Sequence, residues 1–458
     1  MASAPSHEAR NGPPALSTER PVIWPKRKRA RLGNGLEIVL VESHTFPKFT
    51  GQLFFRSGNA AVAHRAPGLA EITSSVVRTG TTARVSRQIE EDLRRMGADL
   101  STNAGTDTSA ISFDGLVEFS KPLLALVSEL AQQAAFPEQE FERERRQALE
   151  ALRIERTTPG FLAGERLRKV LFGAHSYAQV SPTEEQVQEY KREDLVDVYH
   201  EYYRPGNALL VMVGDFPADG MLEDIETALG KWAGGPPSFM PSAQLPQLRG
   251  RRVYVVHLPG SVQTQVLVGC HAITRKHPDW LRLALTNSIY GGAFNSRLVM
   301  NIREQKGYTY SPRSTAHALR EHGYFTIHAA VRNDVVGATL TEIFYEMDRM
   351  RSLPVPQGEL SDAANYLSGV FSLGLGTQEG LLGQLATVYL NELAEDYLET
   401  YRERVRALTP HDVLTAARKY FDSANAQIVI VGDGKEVEEQ AGLFGEVEVY
   451  NAQGNRER

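Results

Sequence analysis

The stretch Asp194–Asp215 reads DLVDVYHEYYRPGNALLVMVGD, and the stretch Asp412–Asp433 reads DVLTAARKYFDSANAQIVIVGD. The two stretches align without a gap at a constant offset of 218 residues, and eight of their 22 positions are identical. Each copy is typical of a helix, a turn at the asparagine and a buried strand that ends in Gly-Asp. An ungapped helix–turn–strand unit that occurs twice indicates duplication, so the sequence predicts two similar halves.

A segment rich in proline and glycine separates the two copies. Trp232–Gly250 holds four prolines and three glycines, a composition that is typical of a linker. The polar, proline-rich beginning of the chain shows no apolar periodicity, which favours a disordered tail. We therefore expect a tail over 1–24, an N-terminal domain over 25–232, a linker over 233–250, a C-terminal domain over 251–440 and a C-terminal tail over 441–458.

Strand and helix patterns occur in blocks along the first half. Leu36–Val41, Gln52–Arg56 and Asp99–Ala104 are typical of strands, whereas the stretches from Glu118 to Ala134 and from Pro137 to Glu155 have helical spacing. Strands followed by helices in blocks favour an α+β fold over a doubly wound parallel sheet. We expect each half to form a mainly antiparallel sheet with helices packed on one face.

Composition excludes several classes of protein and of site. The 458 residues are 42% hydrophobic and carry a net charge of −6, which gives no electrostatic reason to bind nucleic acid or an anionic membrane. The longest apolar run lies around Ala208–Val213 and is far shorter than the roughly 20 residues of a membrane span. Cys270 is the single cysteine, which excludes an intramolecular disulfide and a cysteine-ligated zinc. The basic run Lys26–Arg29 is interpreted as a charged lead into the first strand rather than a nucleic-acid patch.

The stretch Gly68–Thr81 reads GLAEITSSVVRTGT and resembles the zinc helix of the pitrilysin family of metallopeptidases. In that family a Gly-Leu-Ala lead precedes His-x-x-Glu-His, and a Gly-Thr follows. The two histidines lie one helical turn apart as zinc ligands, and the glutamate is the general base. The resemblance implies two domains that together form a bowl.

The flanks of this motif fit the family, whereas the zinc-binding positions do not. Glu71 and Ser75 stand at the two histidine positions, and Ser74 stands at the general-base position. Ala151 stands where a glutamate on a later helix completes the family's zinc site. A catalytic zinc needs three protein donors, and neither the Ser75 hydroxyl nor the Ala151 methyl group replaces imidazole or carboxylate. The resemblance therefore implies a zinc-free copy of the protease domain, with no metal ligand set in this chain.

Two glutamates near Ala151 do not restore that site. Glu150 is one residue away and about 100° round the helix, so we expect it to face elsewhere. Glu144 matches a supporting family position and not a ligand. The twelve histidines contain no second zinc motif, and no Gly-x-Ser-x-Gly or dinucleotide loop is present.

The second half carries the family's C-terminal signature. Gly291–Leu298 reads GGAFNSRL, and Ile302–Ser311 reads IREQKGYTYS. In the family an arginine and a tyrosine from this motif reach the substrate across the cleft. The resemblance gives these roles to Arg303 and Tyr310, although Tyr308 also follows Gly307 and is the alternative tyrosine. The other interpretation is structural, with Arg303 paired to a neighbouring glutamate and the tyrosines packed in the core.

The resemblance implies a zinc-lacking subunit of a heteromeric peptidase. A homologous partner with an intact His-x-x-Glu-His would hold the zinc, and this chain would supply Arg303 and Tyr310 to the hydrolysis of peptides. The chain is expected to be inactive alone, with no cofactor of its own. The alternatives are a non-enzymatic scaffold of the same fold and an autonomous peptidase with an unrecognised site. As written the chain is expected in the cytoplasm, or in the periplasm if a signal peptide was removed.

Overall fold

The computed structural model describes residue 22, residues 24–239 and residues 242–458. The tail predicted over 1–24 lies outside the described residues, with the exception of Val22 and Trp24. Residues 233–239 and 242–250, the described part of the predicted linker, contain no helix or strand.

The first half builds one six-stranded sheet in the order β1-β2-β6-β3-β5-β4. Its strands are β1 Arg27–Arg31, β2 Glu37–Glu42, β3 Lys48–Phe55, β4 Asp99–Ala104, β5 Ser109–Leu116 and β6 Ala208–Gly214. Its helices are α1 Asn59–Val62, α2 Leu69–Val77, α3 Ser86–Met96, α4 Ser120–Gln133, α5 Glu138–Glu155, α6 Pro159–Phe172, α7 Glu184–Glu189, α8 Arg192–Tyr202 and α9 Ala218–Leu229.

The second half builds another six-stranded sheet, in the order β12-β7-β11-β8-β10-β9. Its strands are β7 Arg252–His257, β8 Gln263–Ala272, β9 Arg313–Ala318, β10 Gly323–Arg332, β11 Gln427–Gly432 and β12 Glu446–Tyr450. Its helices are α10 Trp280–Asn287, α11 Val336–Ser352, α12 Gln357–Gly374, α13 Gln378–Leu390, α14 Tyr397–Arg406, α15 Pro410–Tyr420 and α16 Gly434–Gly442. Two π-helical segments, Ser288–Gly292 and Val299–Gln305, lie between α10 and β9.

The α+β prediction is confirmed, because both sheets are mostly antiparallel and carry helices. Only the pairs β2–β6, β7–β11 and β7–β12 are parallel among the described strands. Five strands occupy the same relative positions in both sheets, as a duplication requires.

The residues shared by the two copies of the repeat have matching structural roles. Asp194 and Asp412 each accept a hydrogen bond from the backbone N–H three residues earlier, at 2.8 and 2.9 Å, and so begin α8 and α15. Gly214 and Gly432 end β6 and β11 at points of close approach. A Cβ at Gly214 would lie 2.3 Å from the Phe49 side chain.

The C-terminal boundary differs from the prediction of a tail over 441–458. Glu446–Tyr450 forms β12, which pairs in parallel with β7 as the edge strand of the second sheet. Val449 is 4% and Glu448 is 7% exposed, so this short strand is covered on both faces. The edge strand of the first sheet comes instead from the other end of its half, as β1.

Each sheet also receives one helix from the opposite half on its second face. Leu162, Leu167 and Leu171 of α6 pack with Val429 and Val431 on the second sheet. In the same way, α13 packs on β6 and β3 of the first sheet, where Leu381, Leu385 and Val388 meet Leu209 and Val211. Because both faces of β6 and β11 are covered, these strands are apolar at nearly every position.

The basic run near the chain start is expected to lead into the first strand, but in the structure Arg27–Arg29 are themselves part of a strand, β1. Arg27 and Arg29 form ion pairs with Glu399 and Glu395 at α14 of the other half.

Within the described ranges, no helix has the length and hydropathy needed to cross a membrane.

Candidate functional site

The three zinc-ligand positions of the motif meet at one cavity. Glu71 and Ser75 lie one turn apart on α2, and Ala151 lies on α5. All three line a cavity of about 480 Å³. The fold therefore brings together the three positions that the motif resemblance singled out.

The chemistry at this cavity does not suit a zinc ion. The Ser75 hydroxyl donates a hydrogen bond to the Glu71 backbone carbonyl at 3.2 Å, and the Asn59 amide donates to the Glu71 carboxylate at 2.7 Å. Ala151 presents only a methyl group. Ser74, at the general-base position, is 1% exposed and is not among the cavity-lining residues. Glu71 is thus the single donor among these three motif positions, whereas a catalytic zinc needs three protein donors.

The electrostatic state of Glu71 follows from its surroundings. Desolvation at the cavity raises the pKa of its carboxyl, and the charge of Glu155 raises it further, whereas the hydrogen bond from Asn59 lowers it. Its surroundings therefore favour the neutral carboxyl over an unpaired carboxylate.

The neighbouring glutamates do not complete a ligand set. Glu150 faces away, as the sequence predicted: its side chain is 68% exposed and accepts a hydrogen bond from Arg153 at 2.7 Å. Glu144 lines the cavity and pairs with Arg143 at 3.0 Å. Within residues 24–239 and 242–458, no three His, Cys, Asp or Glu side chains are grouped as a metal site requires.

Arg303 lies on the π-helical segment Val299–Gln305. The Asn301 amide fixes this segment to α11 by donating to Glu342 and Glu346 at 2.9 and 3.0 Å. The Arg303 guanidinium lies over the Phe294 ring, 4.9 Å from its centroid, and its Nε pairs with Glu304 at 3.3 Å. Its two terminal nitrogens have no partner among the described residues.

The two candidate tyrosines differ sharply in environment. Tyr310 is 89% exposed, and its hydroxyl makes no hydrogen bond within the described part of the chain. Tyr308 packs against the core of the second half. Neither tyrosine nor Arg303 lines the cavity beside α2, so the chain does not assemble these groups around its own altered zinc helix.

Phe294 also belongs to this site, although the sequence motifs predicted no role for it. It lies within the quoted GGAFNSRL signature, and it is 73% exposed. The sequence feature that could have indicated a role for Phe294 is a large aromatic side chain in a glycine-rich segment, where such a side chain is difficult to bury. Cys270, in contrast, is buried in the core as expected.

Two family models match consecutive parts of the chain, and the second one includes the first copy of the repeat. Residues 37–169 match "Insulinase (Peptidase family M16)", and residues 189–367 match "Peptidase M16 inactive domain". Together they cover about two thirds of the chain. The chain belongs to the M16 family. This confirms the pitrilysin-type resemblance of the sequence motifs.

Several M16 relatives align over nearly the full length. An uncharacterized zinc protease of Bacillus subtilis, YmxG, is 22% identical over 85% of this chain and 97% of its own length. A protein of Helicobacter pylori named a non-peptidase homolog is 21% identical over 87% of this chain and 92% of its own length.

Two solved structures share the fold. A structure from Pseudomonas fluorescens, described as a peptidase M16 inactive domain, has a TM-score of 0.84 at 25% identity and covers 89% of this chain and 98% of its own. A protease structure from Helicobacter pylori has the same TM-score at 20% identity, covering 89% of this chain and all of its own. With its altered zinc positions, this chain is an inactive, peptidase-like M16 member.

Proposed function

We propose that this chain is the zinc-lacking subunit of a heteromeric M16 peptidase. It supplies Arg303 and Tyr310 to the active site of a homologous partner that carries an intact His-x-x-Glu-His, and the pair of chains degrades peptides. The proposal rests on two separate observations: Tyr310 is exposed without a hydrogen bond, and the terminal nitrogens of Arg303 have no partner, in both cases among the described residues.

The two side chains suit the recognition of a peptide bond under attack. The Arg303 guanidinium donates charge-assisted hydrogen bonds to a substrate carbonyl and so fixes the chain in register. The Tyr310 hydroxyl donates to the scissile carbonyl and stabilises the negative charge that develops on its oxygen. The partner supplies the zinc and the general base, which this chain lacks.

The environment of each side chain supports this assignment over a purely structural role. A tyrosine kept for packing is buried, as Tyr308 largely is, whereas Tyr310 is 89% exposed. Arg303 does pair with Glu304, but only through Nε, so its terminal nitrogens stay available to a group outside the chain.

Peptide binding fits the way this fold leaves strand edges open. β4 is an edge strand of the first sheet, and an extended peptide adds to such an edge through main-chain hydrogen bonds with little demand on sequence. In the proposed heteromer the equivalent edge strand of the partner binds the substrate, so β4 of this chain is not required to bind it.

Reconstitution tests the proposal. The chain is mixed with a zinc-bearing M16 homologue from the same organism, and hydrolysis of a fluorogenic peptide is compared with the homologue alone. The expected result is a clear gain in rate that an Arg303→Ala, Tyr310→Phe double variant does not give. A complex that forms without any gain in rate would favour the scaffold alternative.

A further inference from the structure

We infer that Phe294 is a positioning residue for Arg303, and this inference rests on the proposed function. The Phe294 ring and the Glu304 carboxylate both contact the guanidinium, and its two terminal nitrogens have no partner within the described residues. Phe294 acts through Arg303 and needs no contact with the substrate.

The contact between the two side chains is of the cation–π type. The guanidinium carbon lies 4.9 Å from the centroid of the Phe294 ring, within the range of about 6 Å for this interaction. Phe294 is 73% exposed, so burial of its ring does not account for its place in the structure. A flat aromatic face below the guanidinium restricts a long side chain that otherwise samples many rotamers.

The ion pair with Glu304 further restricts the orientation of the Arg303 guanidinium. The Glu304 carboxylate lies 3.3 Å from the Arg303 Nε. The two terminal nitrogens therefore form the edge of the planar guanidinium that Glu304 leaves open. This edge is the one that binds an oxygen acceptor in a forked geometry. The arrangement matches the role proposed for Arg303.

The loop that carries Phe294 is itself held in place. The Ser314 hydroxyl donates to the Asn287 side chain at 2.6 Å, and the Ala293 backbone N–H donates to the Ser288 carbonyl at 3.2 Å. A Cβ at Gly291 would lie 2.6 Å from the Ser314 hydroxyl oxygen, so the close approach of this π-helical segment to β9 requires glycine.

The segment that carries Arg303 is also held in place. Asn301, which is 7% exposed, ties the π-helical segment of Arg303 to two carboxylates of α11. Inserted π-helical turns occur often at functional sites. Ring and guanidinium therefore meet between two anchored segments.

The test uses the reconstituted heteromer and its peptide hydrolysis. Phe294→Leu keeps an apolar side chain but removes the aromatic face, and kcat/KM is expected to fall roughly three- to tenfold. Phe294→Trp restores a cation-binding face and is expected to stay within about twofold of the wild type. The melting temperature is expected to stay unchanged in both, because the side chain is exposed.

A double-mutant cycle separates positioning from other roles. In an Arg303→Ala background, Phe294→Leu is expected to cause no further loss. Tyr345→Leu is the matched control, because Tyr345 is an exposed aromatic residue that contacts a different arginine, Arg349, at 5.5 Å. This control is expected to leave hydrolysis unchanged.

The outcomes distinguish this inference from the proposed function. If Arg303→Ala lowers activity but Phe294→Leu does not, the positioning role is wrong and the proposed function stands. An equal loss from Phe294→Leu in both backgrounds would also overturn it, since Phe294 would then act on the substrate directly. No effect of Arg303→Ala would overturn the proposed function itself.

Discussion

Tyr308 and Tyr310 are two residues apart, yet one packs against the core and the other is 89% exposed. The sequence left both as candidates for the acting tyrosine, because each follows Gly307 within the same motif. An oxyanion donor needs a hydroxyl that reaches a group outside its own chain. The exposure of Tyr310 supports its selection, which stays a prediction.

Tyr310→Phe is expected to lower peptide hydrolysis by the reconstituted heteromer about 10²–10³-fold, since it removes one oxyanion donor. The ring and its exposure are kept, so assembly with the partner is expected to be normal. Tyr308→Phe is the matched control and is expected to change the rate little. The reverse pattern would assign the role to Tyr308.

The altered residues at the zinc-ligand positions lead to a second prediction, on the zinc content of the chain. Metal analysis of the purified chain is expected to find well under one zinc per chain, because Ser75 and Ala151 supply no donor. Since Glu71, Ser75 and Ala151 line one cavity, the triple variant Glu71→His, Ser75→His, Ala151→Glu is expected to raise the zinc content markedly. One tightly bound zinc in the wild type would contradict the ligand argument.

At the scale of elements, β9 and β10 bring titratable groups to the place where α6 packs on the second sheet. His317 of β9 stacks on Tyr324 of β10, with 4.3 Å between the ring centroids. Burial, with a smaller contribution from the charge of Arg168 on α6, lowers the pKa of His317 to about 4. His328 of β10 has its pKa lowered to about 4 by burial and by the charge of Arg313.

These shifts predict a loss of stability in mild acid. Unfolding returns His317 to a pKa near 6.5, so the unfolded chain binds more protons than the folded chain between about pH 6.5 and 4. The free energy of unfolding therefore falls as the pH is lowered through this window, and little further loss from this group occurs below about 4. Above pH 7 the imidazole is neutral in both states.

Melting temperatures measured between pH 7.5 and 4.5 check this expectation. His317→Phe keeps an aromatic ring against Tyr324 but does not titrate, so its melting temperature is expected to depend less on pH than that of the wild type. Comparing the two slopes cancels the carboxylates that titrate in the same range. Identical slopes would show that His317 contributes nothing to acid sensitivity.

For the whole molecule, the decisive feature is the exchange of α6 and α13 between the halves. Each helix leaves its own half and covers the second face of the opposite sheet. Polar contacts join the same halves: the Arg320 backbone N–H donates to the Asp107 carboxylate at 2.8 Å, and the Glu321 backbone N–H donates to the Tyr177 hydroxyl at 3.1 Å. The linker is therefore one of several connections between the halves.

Separating the halves is expected to expose one apolar face on each sheet. Expressed alone, residues 25–250 and 251–458 are expected to aggregate or to fail to unfold cooperatively, because a large apolar patch stays uncovered. Co-expression is expected to give a soluble complex that elutes at the size of the intact chain. A single half that is soluble and melts cooperatively would show that the exchanged helices are dispensable.

Most of the architecture followed from the sequence by itself. The repeat predicted two α+β halves, and the spacing of apolar residues located β4 at Asp99–Ala104 and α5 up to Glu155, because side-chain periodicity is a local property. The loss of the zinc ligands was equally local, since Ser75 and Ala151 lack donor atoms in any fold.

Only the tertiary structure decided which surfaces those elements cover. Local periodicity cannot show that α6 and α13 cross to the opposite sheets, that β12 closes the second sheet, or that Phe294 lies under Arg303. Contacts between residues far apart in the chain depend on how whole sheets and helices bury their apolar faces together. For the same reason, the different environments of Tyr308 and Tyr310 became visible only in the folded molecule.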